Sequence, residues 1–268
     1  MARDAFEAHL GIWADSVVGS RPPAPEPPEP AVALDGQTLR GAKTPGAPGA
    51  HLLSALAHQG GVPLPQHAVD DQTNEITAGE TVLAQLVLAG RMVTMDALLT
   101  PRHVAQTIGD KGGDYVMSVK ANQPQVRADL ALGLTRPPRG DRQATAQTVA
   151  LGHGRIEQRP LTTCAALVGD SDWPGLAQVC EVGRHVLFQK TGEERVEVVY
   201  GVTSLSPERA TPGRVLALVR GQWQSETQAH GVRDVTVDED RSPVRCGNSP
   251  QVRAAFRKTV MGLLRRAG

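Results

Sequence analysis

Short apolar runs alternate with polar or glycine-containing links along the first 120 residues of the chain. Runs rich in Val, Leu and Ala predict five β-strands, over residues 31–35, 51–58, 62–69, 91–96 and 114–120. Short links join the first three strands, which we therefore expect to be antiparallel to one another. Helical segments precede the last two strands, which we expect to run parallel to the first.

Two stretches with helical spacing separate the later strands. Residues 79–89 place Leu83, Leu86 and Val87 on one buried face, and a second helix is predicted over about residues 101–111. Three strands followed by helix, strand, helix and strand is the order of the ribonuclease-H-like fold. The pattern therefore predicts an α/β protein with a mixed five-stranded sheet and flanking helices, in which the first and fourth strands are neighbours.

The second half of the chain has a different pattern. Residues 125–200 are rich in Pro, Gly, Arg and Thr, and their short apolar alternation predicts an irregular β-rich insertion. Residues 206–230 are expected to be mostly helical and to carry Glu226. The segment 252–264 is predicted to be an amphipathic helix that packs through four apolar residues. These are Val252, Phe256, Val260 and Leu263.

The chain before residue 31 is organised separately from the rest. Apolar residues at helical spacing predict a short helix within residues 4–18. Residues 21–30 contain six prolines, so this segment is expected to be a semi-rigid linker rather than helix or sheet. We therefore expect residues 1–30 to be a residual helix and linker, followed by a main domain over residues 31–268.

Composition narrows the classes of function. Aromatic residues make up only 3% of the chain, too few for a protein that binds single strands by stacking bases on exposed rings. The 28 basic and 28 acidic residues cancel, but seven basic residues and no acidic residue follow position 240. Three widely spaced cysteines match neither a zinc site nor a disulfide framework, and no apolar run is long enough to cross a membrane. A cytoplasmic protein is therefore expected.

Three acidic residues carry the candidate chemistry. Asp35 and Asp96 each follow a predicted apolar strand, and Glu226 lies on a predicted helix. Carboxylates on rigid elements bind hard divalent cations, and pairs of such cations support phosphodiester cleavage. Each acid also has a plainer explanation, because an aspartate before glycine often forms a turn and a glutamate on a polar helix face is often only solvated. The three acids together with the predicted strand order favour a metal site.

Eight stretches make the chain similar to the insertion-sequence DDE transposases of the ISAs type, also called H-repeat-associated proteins. They follow the order of the family from about residue 31 to the C-terminus. They are Ala-Leu-Asp-Gly-Gln-Thr-Leu-Arg-Gly over 33–41, His-Leu-Leu-Ser-Ala over 51–55, Thr-Asn-Glu-Ile over 73–76, Val-Thr-Met-Asp-Ala over 93–97, Gly-Gly-Asp-Tyr-Val over 112–116, Lys-Ala-Asn-Gln over 120–123, Gly-His-Gly-Arg-Ile-Glu over 152–157, and the acidic segment 234–240.

This resemblance implies a ribonuclease-H-like DDE catalytic domain that cuts and joins DNA at transposon ends. Asp35, Asp96 and Glu226 match the three acidic positions of the family and would hold Mg²⁺, with Mn²⁺ as a substitute. The implied partners are double-stranded DNA, both insertion-sequence ends and target, and a homodimer is compatible with them. The candidate DNA-contacting residues are basic, amide or imidazole side chains near the site, in the insertion or on the last helix. They are Arg40, Lys120, Asn122, Gln123, Arg155, His230, Arg253, Arg257 and Lys258.

Departures from the family pattern keep a second function open. Gln37 stands where lysine is usual, and four residues around the glutamate differ from the usual Ile, Asn, Leu and Trp. These are Ser225, Thr227, Ala229 and Gly231. Only residues 4–18 remain of the helical N-terminal domain, so the alternative is an inactive, truncated remnant that binds DNA without cutting it. A metal phosphotransferase is a third hypothesis, ranked last because that chemistry needs a second aspartate at the position of Gln37.

Overall fold

A computed structural model describes most of the chain from residue 30 onward. The described residues are 30–39, 50–58, 63–69, 75–96, 102–119, 123–137, 142–152, 154–165, 167–169, 171–231, 249, 252–254, 256–257 and 260. The predicted helix within residues 4–18 and almost all of the proline-rich linker lie outside them.

In the part of the chain that the structure describes, nine strands and four main helices form a mixed α/β protein with few helices. The strands are β1 (Ala31–Leu39), β2 (Ala50–Ala57), β3 (Pro63–Val69), β4 (Met92–Met95), β5 (Asp114–Val119), β6 (Ala144–Gly152), β7 (Arg155–Cys164), β8 (Gln178–Phe188) and β9 (Glu194–Thr203). The helices are α1 (Glu75–Ala84), α2 (Arg102–Asp110), α3 (Pro124–Thr135) and α4 (Pro212–Gly231). These elements divide between two compact units.

The first unit comprises the described residues of 30–94, 110–113 and 221–260. Its strands lie in the order β3-β2-β1-β4, so β1 and β4 are hydrogen-bonded neighbours, as predicted for the first and fourth strands. The pairs β1–β2 and β2–β3 are antiparallel, which confirms the prediction from their short links. Ala33, Leu53 and Val93 are fully buried and form part of the core of this unit.

The position of Asp35 within its strand differs from the prediction. The sequence suggested that the first strand ends at Asp35, but β1 continues to Leu39. The reason is that the ladder with β2 runs on without interruption, pairing Asp35 with Ser54 and Leu39 with Ala50. Asp96, by contrast, directly follows the last residue of β4, as predicted.

The first helix is also displaced from its predicted bounds. It covers Glu75–Ala84 rather than residues 79–89, and Val87, predicted to be buried, is 61% exposed. The chain leaves the helix after Ala84, and the ammonium group of Lys111 satisfies the carbonyl groups that this end exposes. Lys111 Nζ donates hydrogen bonds of 2.6–2.9 Å to the carbonyl oxygens of Leu83, Ala84 and Leu86.

The second unit comprises the described residues of 95–109 and 114–220. Its strands lie in the order β5-β9-β8-β7-β6, and every pair is antiparallel. The β-rich insertion predicted over residues 125–200 is therefore present as β6 to β9, with Leu161 and Val182 among its buried residues. It begins with α3, a helix that the sequence analysis did not predict.

The described part of the C-terminal segment is helical, but its apolar side faces outward. Val252, Phe256 and Val260 were predicted to pack, yet they are 40%, 62% and 38% exposed. Ala254, on the other side of the helix, is buried. The predicted packing face is therefore wrong for these three residues, and Leu263, the fourth, lies outside the described residues.

No helix among the described residues is long and apolar enough to span a membrane. Cys164 and Cys180 are buried and are not joined in a disulfide, and Cys246 lies outside the described residues. Burial is the main cause that raises the pKa of Cys180 to about 12, and the nearby Cys164 adds to it. The Cys180 thiol therefore stays protonated at neutral pH.

Candidate functional site

Asp35 of β1 and Asp96, which directly follows β4, are the described acids of the candidate site. Asp35 lies near the middle of β1 and is 7% exposed, following the buried Leu34. The hydroxyl group of Ser54 donates a hydrogen bond of 3.4 Å to the Asp35 carbonyl oxygen across the β1–β2 ladder. Asp96 follows the neighbouring strand β4 and is partly buried. Asp35 is thus carried by a strand in the packed core of the first unit, and Asp96 directly follows a strand of that unit.

A chain of buried polar side chains joins the second half of α4 to β1 and β4. The amide nitrogen of Gln222 donates to the Leu34 carbonyl oxygen at 3.1 Å, and its amide oxygen accepts from the Thr94 hydroxyl at 2.6 Å. His58 Nε2 lies 2.7 Å from the same Thr94 oxygen. Gln222 and Thr94 are 3% and 1% exposed, so water is excluded from these bonds.

The direction of each bond in this chain follows from the number of protons available. Thr94 has one hydroxyl proton, which it gives to Gln222, so His58 must carry its proton on Nε2 and donate it to Thr94. Burial lowers the pKa of His58 to about 4, which keeps the imidazole neutral at physiological pH. The result is a one-way series of donors from His58 through Thr94 to Gln222 and Leu34.

Gly221 allows the histidine to approach the helix closely. A Cβ atom at this position would lie 2.2 Å from His58 Nδ1 and 2.6 Å from His58 Cε1, well inside contact distance. Glycine in a helix interior is ordinarily unfavourable relative to alanine. Here the missing side chain makes room for the imidazole that begins the donor chain.

The third acid of the site can be described by its backbone alone. Glu226 lies in α4, one helical turn after Gln222, and His230 lies one turn further on in the same helix. Their side chains are outside the described part of the structure. Within the described residues, no group of three His, Cys, Asp or Glu side chains gathers as a metal site.

The predicted DNA-contacting residues fall in different parts of the chain. Gln123 directly precedes α3, Arg155 begins β7, and Arg253 and Arg257 lie in the helical C-terminal segment, where Arg253 is exposed. Four others, Arg40, Lys120, Asn122 and Lys258, lie outside the described residues. The role of these residues in DNA binding stays a prediction.

An ion-pair cluster near Arg155 is built around one buried carboxylate. Glu157 is 6% exposed and accepts from Arg184 Nε at 2.5 Å and Arg159 Nη2 at 2.8 Å. Burial alone would raise its pKa, but the hydrogen bond from Arg184 and the charges of Arg159, Arg184 and Arg155 outweigh this and lower it. The motif containing Arg155 and Glu157 thus has a structural role as well as a predicted DNA contact.

His58, Thr94 and Gln222 were not predicted from the sequence to have a role at the site. Thr94 stands two residues before Asp96 and Gln222 four residues before Glu226, so their positions near the acids were the available signal. What the sequence could not supply was the pairing, since Thr94 and Gln222 are 128 residues apart.

The described part of the chain is a mixed α/β protein that carries one aspartate on β1 and another directly after β4. The family described as "Transposase DDE domain" matches residues 26–262. The chain therefore belongs to the transposase DDE domain family.

Curated relatives agree with this family. The chain is 29% identical over 250 residues to "Putative transposase YncI" of Escherichia coli O157:H7, a match that covers 87% of this chain and 61% of that protein. It is 27% identical over 245 residues to "H repeat-associated putative transposase YhhI" of Escherichia coli K12, covering 87% of this chain and 63% of the relative. The chain thus spans about three fifths of the length of these relatives.

A solved structure gives a weaker likeness. It is the piggyBac transposase in a synaptic complex with hairpin DNA, studied by cryo-electron microscopy. The TM-score is 0.46 at 12% identity, and the match covers 89% of this chain and 46% of that one. A likeness of this strength does not by itself identify a fold.

Proposed function

We propose that this chain is the catalytic part of an insertion-sequence transposase that cuts DNA at transposon ends and joins the freed 3′ end to target DNA. The observation that carries the proposal is Asp35 buried on β1, beside the strand β4 that directly precedes Asp96, in a chain that belongs to the transposase DDE domain family. The order β3-β2-β1-β4 supports a ribonuclease-H-like core for this chemistry.

The chemistry of the donor set fits a hard divalent cation. Asp35, Asp96 and Glu226 offer carboxylate oxygens, the ligands that Mg²⁺ and Mn²⁺ prefer. The only sulfur-containing residues of β1 and β4 are Met92 and Met95, and both thioether side chains are buried in the core. When bound, a hard cation supplies Lewis acidity that activates an attacking water or 3′-hydroxyl and stabilises the leaving oxygen.

The residues of this chain supply position and charge. Asp35 on β1 and Asp96 directly after β4 are proposed to supply carboxylate ligands that stay in place while DNA binds. Glu226 is carried by α4, a 20-residue helix. Arg155, Gln123, Arg253 and Arg257 are proposed to contact the DNA backbone, which would align a scissile phosphate with the acids.

The test is cleavage of a duplex that carries the transposon end, with Mg²⁺ present. Asp35→Asn keeps the size of the side chain and removes its charge, and we expect it to reduce cleavage by about 10²-fold or more. Asp129→Asn, at an exposed position of α3, is the matched control and should cleave like the unaltered chain. Equal cleavage by the unaltered chain and Asp35→Asn would contradict the proposal.

An inactive remnant is the second candidate. It is favoured by the replacement of four family residues around Glu226, which include Thr227 and Gly231. A remnant would retain DNA at low salt and release it at high salt without any strand cleavage. The cleavage assay separates the two candidates directly.

A further inference from the structure

We propose that His58, Thr94 and Gln222 form a positioning chain that sets the register of α4 against β1 and β4. This inference rests on the proposed function, because the residue whose position the chain would fix is Glu226. Its role is distinct from that of the acids, since none of the three residues is proposed to touch metal or DNA.

The anchor points of the chain stand beside the acids in sequence. The Leu34 carbonyl group, which accepts from Gln222, belongs to the residue immediately before Asp35. Thr94 is two residues before Asp96, and Gln222 is one helical turn before Glu226. A single amide side chain is therefore bonded at once to the strand of the first acid and the strand of the second.

The hydrogen bonds specify one register more sharply than apolar packing does. A slip of α4 by one residue moves it about 1.5 Å along its axis and turns it by about 100°. Such a slip would carry Gln222 away from both partners and leave the Leu34 carbonyl and the Thr94 hydroxyl buried without them, which disfavours the slipped state. These hydrogen bonds therefore fix the axial position of the second half of α4 relative to β1.

The identity of each side chain fits this role. Gln222 uses its amide oxygen toward Thr94 and its amide nitrogen toward Leu34, so a glutamate at this position would lack the donor that Leu34 needs. Thr94 both accepts and donates, which valine, of the same shape, cannot do. The hydroxyl group is thus the part of Thr94 that the proposal requires.

The experiment compares Thr94→Val, which removes the hydroxyl group, with Thr94→Ser, which keeps it. The matched control is Thr203→Val in the second unit. Thr203 is fully buried, donates to the Tyr115 carbonyl oxygen at 2.7 Å and accepts from the Leu205 amide at 3.1 Å. Its loss should therefore cost the fold a comparable pair of buried hydrogen bonds without touching the anchor of α4.

The first measurement is the Mg²⁺ concentration that gives half-maximal strand cleavage. We expect Thr94→Val to raise it by about tenfold, because a misplaced ligand weakens the site, and Thr94→Ser to restore it to within about twofold. Thr203→Val should leave it unchanged. If Thr94→Val and Thr203→Val behave alike, the positioning role is wrong while the proposed function stands.

The second measurement does not depend on activity. Amide hydrogen exchange over residues 222–231 should be about tenfold faster in Thr94→Val than in the unaltered chain, and unchanged in Thr203→Val. Absence of cleavage by the unaltered chain would overturn the proposed function alone, since the exchange of α4 still reports whether Thr94 holds the helix. Unchanged exchange in Thr94→Val would overturn the inference.

Discussion

Gly221 is a position where the usual preference for alanine over glycine in a helix is expected to be reversed. Alanine is favoured over glycine by about 1 kcal/mol in a helix interior. At Gly221, however, an alanine Cβ would lie 2.2 Å from His58 Nδ1, and overpacking of this kind typically costs about 1–3 kcal/mol. We expect Gly221→Ala to lower the free energy of unfolding, measured by urea denaturation.

A second substitution separates the clash from any other effect of the alanine. In a chain that already carries His58→Ala, the imidazole is gone, so adding Gly221→Ala should be neutral or stabilising. Gly109→Ala in α2 is the matched control, because a Cβ there meets open space, and it should stabilise slightly. Equal destabilisation by Gly221→Ala with and without His58 would contradict the explanation.

At the scale of elements, Lys111 closes the end of α1 from a distance of more than twenty residues. Its ammonium group donates to the carbonyl oxygens of Leu83, Ala84 and Leu86. Lys111→Met keeps the length of the side chain but leaves these carbonyls without their cation, and we expect it to lower the free energy of unfolding by about 2 kcal/mol. Lys190→Met, at an exposed turn position, is the control and should change it little in the same urea titration.

The elements also show where sequence patterns suffice. The strands β2, β3 and β5 and the helix α2 were predicted within one or two residues, since apolar runs between turn signals mark them clearly. Helix α3 was missed because its apolar residues do not share one face: Leu130 and Leu134 are buried, whereas Leu132 between them is 61% exposed. The donor chain was missed because His58, Thr94 and Gln222 are uncharged, separate in sequence and joined only by the fold.

At the scale of the whole molecule, net charge is zero, so DNA binding must come from local clusters. We expect binding of a labelled duplex, measured by fluorescence anisotropy without divalent metal, to weaken as salt rises. Replacing Arg253 and Arg257 by glutamine should reduce the slope of log affinity against log salt by about 0.9 for each phosphate that is no longer neutralised. Arg127→Gln, whose guanidinium stacks over Tyr200, is the control and should keep the slope. An unchanged slope in the double variant would exclude these two arginines from the interface.

The strand β6 has a practical consequence for handling the protein. It ends the strand order of the second unit, pairs only with β7 among the described strands, and contains no charged residue and no proline. Val149 and Leu151 on it are 56% and 73% exposed. An uncharged edge strand of this kind can pair with a strand of another molecule. We therefore expect β6 to be the first site of aggregation in concentrated solutions. A lysine substituted on β6 should reduce that aggregation.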